Sequence, residues 1–134
     1  MYNEECIMEE RNNTRSHDLK ENVIIEKTFK FSLNVIDIYK YLKEKKNEFI
    51  MSKQLLRSAT SIGANVEEAD SAQSHRDFIA KMSISLKEAK ETRYWIRLLL
   101  ESKYLIKEDI LEECEAIIKI LTKILLTAKK NELS

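Results

Sequence analysis

The chain has 134 residues, a length suited to one domain, with no proline and a single glycine, Gly63. Those two residues supply most tight hairpin turns, so their near-absence excludes a β-rich fold. Basic and acidic residues number 23 each, so the chain lacks the overall positive excess of a dedicated nucleic-acid binder, and any surface of that kind must be a local patch.

With 43% hydrophobic and 34% charged residues, the balance suits soluble helices with broad apolar faces. The opening MYNEECIMEERNNTRSHD is polar and acid-rich, which predicts an N-terminal tail over residues 1–21 and a helical domain over residues 22–134. No stretch approaches the roughly 20 apolar residues of a membrane span. Cys6 and Cys114 lie far apart without metal-ligand spacing and read as free thiols of a reducing compartment, so the expected location is cytoplasmic.

The first helix is expected over about Val23–Lys46. Ile24, Phe31, Val35, Ile38 and Leu42 form one apolar stripe, and Ile25, Phe29, Ile36 and Tyr39 a second beside it. KKNEF breaks the pattern as a turn, and Ser52 is expected to cap a second helix over about Lys53–Ala72. At about 100° per residue, Leu55, Ala59, Ile62, Val66 and Ala69 share an apolar arc of that helix. Gln54, Arg57, Ser58, Ser61, Asn65 and Glu68 form a polar arc next to it. Gly63 costs about 1 kcal/mol relative to alanine inside a helix, which implies close approach of a neighbouring helix.

Ser74, with Asp77 three residues on, is the expected N-cap of a third helix over about His75–Ser102. Phe78, Met82, Leu86, Ala89, Ile96 and Leu100 form its core stripe. Ile84, Trp95, Leu98 and Leu99 form a second apolar group on the far side, which calls for cover by another chain; these four are the expected oligomer interface. After SKYLIKED, a fourth helix over about Lys107–Lys130 carries Ile110, Cys114, Ile117, Leu121, Ile124 and Ala128 on one seam. The sum is an all-α, up-down-up-down antiparallel four-helix bundle that assembles into a homo-oligomer.

Bundles of this kind can hold paired metals through Glu-x-x-His on two helices. Three residues before His17 and His75 stand Thr14 and Ala72, so no metal is expected. Cys114 lies on a core stripe and His75 at a turn, where it reads as a solvated loop residue. Nothing resembles a phosphate loop, a nucleophile elbow or a zincin helix, so no catalytic residue, cofactor or small-molecule substrate is expected.

An antiparallel hairpin turning near residue 74 sets Arg57 opposite Glu91, Ser61 near Glu88 and Asn65 near Ser83. These residues can form an internal network that fixes register, or a recognition surface for a partner. In the first case, a buried Arg57 would cost about 3–5 kcal/mol on removal. Lys87, Lys90, Arg93 and Arg97 fall within an arc of roughly 120° with Tyr94 among them. Such an arc can follow a phosphate backbone and stack on a base, although a solvated face is its ordinary role. Lys40, Lys43, Lys45 and Lys46 add charge near the end of the first helix, where they also complement its dipole.

The strings QLLRSATSIGANVEEA, SHRDFIAKMSISLKEAKET and YWIRLL, preceded by NVIIEKTFKFSLNVIDIYKYLK, carry a resemblance over about residues 22–128. Together they resemble the four-helix-bundle family encoded by intervening sequences of bacterial 23S ribosomal RNA genes. The resemblance implies a closed bundle that forms a homo-oligomer, a pentamer, with a role in binding RNA or another nucleic acid. Arg57, Ser61, Asn65 and Glu68 match the family's polar motif in the second helix, and Glu88, Glu91, Tyr94 and Trp95 its motif in the third. The family brings no assigned active site. The expectation is therefore a non-enzymatic oligomer that binds structured RNA or a ribonucleoprotein partner through Lys87, Lys90, Arg93 and Arg97. The alternative is a protein-protein interaction scaffold without nucleic-acid binding.

Overall fold

The structure is a computed structural model that describes residues 18–133; residues 1–17, including Cys6, His17 and most of the expected tail, lie outside the described part. Four helices and no strand occur among the described residues: α1 (Asp18–Lys46), α2 (Met51–Asp70), α3 (His75–Glu101) and α4 (Asp109–Leu133). α1 starts before Val23 because the good helix formers of DLKE carry the helix beyond the point where apolar periodicity begins. Short connections force successive helices antiparallel. α1 packs on α2 and α4, α3 packs on α2 and α4, and the backbones of the diagonal pairs do not approach closely. The result is a square of four rods about 30–40 Å long, in up-down-up-down order.

The core runs along the axis of this square. Ile24, Phe31, Val35 and Leu42 meet Leu55, Ile62, Val66, Met82, Ile96, Ile117 and Leu121 there, all almost wholly buried. The wide apolar face expected of α1 is only partly used. Ile25 is buried, but Phe29 is 59% exposed, because α2 and α4 cover the inner side of α1 and leave its outer flank open.

α3 is rotated relative to the expected stripe. Its buried residues are Met82, Ser85, Ala89, Thr92, Ile96 and Leu99, while Phe78, Leu86 and Leu100 are only half-buried. Leu99 is thus a core residue, 0% exposed, and not part of an outer interface. The inward face carries two hydroxyl residues that a hydrophobic pattern assigns to the outside. Ser85 donates to the Ile62 carbonyl at 2.9 Å. Thr92 donates to the Ser58 hydroxyl at 2.8 Å, and Ser58 donates to the Leu55 carbonyl at 3.3 Å. These small side chains let α2 and α3 approach closely, and every buried side-chain polar atom among the described residues has a partner.

Gly63 faces α1, where an added Cβ would lie 3.5 Å from the Thr28 carbonyl oxygen. The neighbouring helix is close, as its position in the sequence implied, yet a methyl group would make ordinary contact.

The first turn differs from the expected one. Asn47 takes a left-handed φ of 52°, a conformation Asn tolerates better than most residues, and Glu48 N–H returns to the Leu42 carbonyl at 3.0 Å. The Glu48 carboxylate then turns onto the start of α2 and accepts from Ile50, Met51 and Ser52 N–H at 3.0, 2.9 and 2.7 Å. Ser52 is therefore not the cap. It lies buried inside the first turn and donates to the Glu48 carbonyl at 2.9 Å. Ser74 caps α3 as expected, accepting from Asp77 N–H at 3.0 Å.

Burial opposes the charge on Glu48, but the backbone donors outweigh it and hold the carboxyl below its ordinary value of 4.5. A lowered folded-state value means that this group stabilises the fold fully above about pH 5 and loses its contribution as pH falls through the carboxylate range. Glu48→Gln is expected to cost about 1–2 kcal/mol in denaturant titration at pH 7. The deficit should shrink as the titrations are repeated towards pH 3.

Candidate nucleic-acid interface

The close seam of α2 on α3 determines what stands at its outer edge. Arg57 lies between two carboxylates one helical turn apart on α3. It meets Glu88 at 3.4 Å and makes a short, direct contact with Glu91, so the register expected from the hairpin is present. Glu91 also accepts from the Trp95 indole N–H at 3.1 Å. The Trp95 donor leads the influences on Glu91, and together with the Arg57 and Lys87 charges it outweighs desolvation and keeps this carboxyl below the usual range. The hydrogen bond to Glu91 in turn raises the Arg57 guanidinium above its ordinary value.

The rest of the polar arc behaves differently. Ser61 donates to the Arg57 carbonyl at 2.7 Å and Asn65 to the Ser61 carbonyl at 2.8 Å, so both bond within α2 and not with Glu88 or Ser83. Glu68 stands apart from the Arg57 cluster and pairs with Lys81 at 3.4 Å, a bond that the same hairpin register allows but Lys81 did not advertise in the sequence. The network is a surface feature, since the Arg57 side chain is 49% exposed. The cost for a buried pair therefore does not apply.

The basic arc lies on the other outer flank of α3. Lys87, Lys90 and Arg97 are exposed, and Arg93 is half-buried toward α4. None of the four forms an ion pair with a described residue, in contrast to Arg57 and Lys81. Tyr94 stands among them, 54% exposed, with its ring in a T-shaped arrangement with Trp95 at 5.3 Å between centroids. Of the apolar residues assigned to an outer surface, Ile84 is 42% exposed and Trp95 and Leu98 are half-buried.

His75 opens α3 and does not float in a loop. Its Nε2–H donates to the Ala128 carbonyl at 2.8 Å and its ring stacks on Phe78, tying the start of α3 to the end of α4. Cys114 is buried and its Sγ lies 3.4 Å from the Ala89 carbonyl, where burial pushes the thiol up to about 12. Among the described residues no three His, Cys, Asp or Glu side chains gather as a metal site, and no helix is long and apolar enough to cross a membrane.

Exposed ion pairs contribute about 0–1 kcal/mol because solvent screens them. Arg57→Met should therefore lower stability by about 0.5–1 kcal/mol in urea titration. A loss near the buried-pair range would contradict the surface placement.

Among solved structures, the chain is similar to a crystallised protein of unknown function from the S23 ribosomal protein family of Bacteroides thetaiotaomicron. The two are 46% identical with a TM-score of 0.77, over 79% of this chain and 97% of the other. No curated protein matches the chain. The 23S rRNA-intervening sequence protein family matches residues 20–125, a span that takes in α2, α3 and nearly all of α1 and most of α4. The polar strings, the helix order and the structural likeness all agree, and the chain belongs to the 23S rRNA-intervening sequence protein family.

Proposed function

We propose that this protein is a non-enzymatic, cytoplasmic helical bundle that assembles with copies of itself, as a pentamer, and binds structured RNA through the basic flank of α3. The observation that carries the RNA half is the contrast in charge use along one helix. Glu88 and Glu91 engage Arg57, whereas Lys87, Lys90, Arg93 and Arg97 have no ion-pair partner among the described residues. Cations held on a rigid helix without internal partners are available to phosphates, and each phosphate neutralised releases counterions. A chain of zero net charge then binds through one face, and assembly repeats that face so that weak contacts add.

Assembly draws support from the apolar residues left at the surface of α3. Ile84 and the half-buried Trp95 lie on its outer side at the angles of Glu88 and Glu91, and Leu98 lies between them and Lys87. Apolar side chains grouped at a surface in this way favour cover by another protein surface. In light scattering coupled to size exclusion, wild type should run as a multiple of the 15.8 kDa chain. The double variant Ile84→Glu with Leu98→Glu should shift to the single-chain mass with its helical circular dichroism unchanged. A wild-type protein that is monomeric at micromolar concentration would overturn the assembly.

For RNA, binding of a fluorescent hairpin should weaken steeply with added salt. Changing Lys87, Lys90, Arg93 and Arg97 together to alanine should abolish most of it and lower the log–log salt slope by about 3, at roughly 0.7 per phosphate contact. A flat salt response or unchanged binding would sink the RNA reading. A partner retained in pulldowns after nuclease treatment would favour the protein scaffold instead.

A further inference from the structure

Tyr94 is a large aromatic side chain in an expensive place. It is 54% exposed, and among the described residues its hydroxyl has no hydrogen-bond partner. Its aromatic neighbour is Trp95, at 5.3 Å and an interplanar angle of 72°. Trp95 is itself fixed, since its indole donates to Glu91, which Arg57 holds from α2. In a T-shaped pair Trp95 covers at most one edge or one face of Tyr94, and with more than half of its surface exposed Tyr94 is braced at one side and keeps ring surface open. Helical spacing sets Lys90 one turn before it and Arg97 one turn after, about 10 Å apart along the axis. A flat, braced ring midway between two unpaired cations matches the parts of one nucleotide: a base to stack, with a phosphate on either side.

We propose that Tyr94 is a stacking platform for an unpaired RNA base, so that the α3 surface selects single-stranded or looped RNA over duplex. This rests on the RNA-binding reading above and names the substrate class. In an A-form duplex both faces of each base are already stacked on neighbours, and a side chain on a convex helix meets only sugar and phosphate. The cations would still attract a duplex, but Tyr94 would contribute nothing to holding it. A loop or single strand lets a base turn out onto the ring while its flanking phosphates meet Lys90 and Arg97.

The test uses the full-length chain and three labelled RNAs: a mixed-sequence single strand, a hairpin with an open loop, and a blunt duplex of equal length. Wild type should prefer the first two. Tyr94→Ala should weaken binding to them by about 5- to 100-fold and leave duplex binding unchanged, while Tyr94→Phe should stay within about twofold of wild type. A 2-aminopurine placed in the loop should be quenched by wild type and by Tyr94→Phe but not by Tyr94→Ala. Thermal melts should coincide for all three proteins, since Tyr94 lies outside the core. Equal affinity for duplex and single strand, or a Tyr94→Ala variant that binds looped RNA as wild type does, would overturn the stacking site and leave the charge-driven reading standing. Failure of wild type to bind any of the three RNAs would overturn both.

Discussion

The contact on which the molecule most depends is the close approach of α2 to α3. Ser58, Ser85 and Thr92 put small side chains at that contact, where Thr92 bonds to Ser58 and Ser85 to the Ile62 carbonyl. Larger residues would push the helices apart, and unbonded hydroxyls would carry a desolvation cost without return. Because these bonds connect particular pairs, they fix the vertical register of one helix on the other. Everything at the outer edge follows from that register. Arg57 falls between Glu88 and Glu91, and Lys81 reaches Glu68.

That register also divides the labour of α3. One outer flank is electrically settled, its carboxylates matched by a guanidinium and an indole. The other holds cations without a contact ion pair among the described residues, Lys87 acting on Glu91 only at longer range. A helix of this design gathers its positive charge on one side, which is how a chain with 23 charges of each sign can offer an anion-binding face. The proposed RNA contact and the proposed assembly surface then occupy adjoining strips of one helix, held in place by the third strip that packs on α2.

Much of this was legible in the sequence because it depends on periodicity. The helix order, the seam of α4 from Ile110 to Ala128, the Ser74 cap and the pairing of Arg57 with Glu91 all follow from spacing along a helix or across a hairpin. What the sequence hid involves residues whose role runs against their type. Ser85 and Thr92 are polar yet face inward, so α3 was read about 40° out of place and Leu99 was assigned to the surface. Glu48 is charged yet nearly buried, and its role as a helix cap depends on the left-handed turn at Asn47, which no local pattern announces. For Arg57, spacing names the partners but not the exposure, because burial depends on how far the side chain reaches beyond its own helix.

Cys114 carries a consequence of its own. Its sulfur is sealed between α4 and the Ala89 carbonyl, with its proton held up to about 12, so in the closed bundle it is chemically silent. Only parting of the α3–α4 seam can bring it to a reagent. In a protein whose other thiol has been replaced, the pace of Cys114 alkylation is therefore a native clock for how often that seam opens, reporting breathing motions far too rare for any static picture to hold.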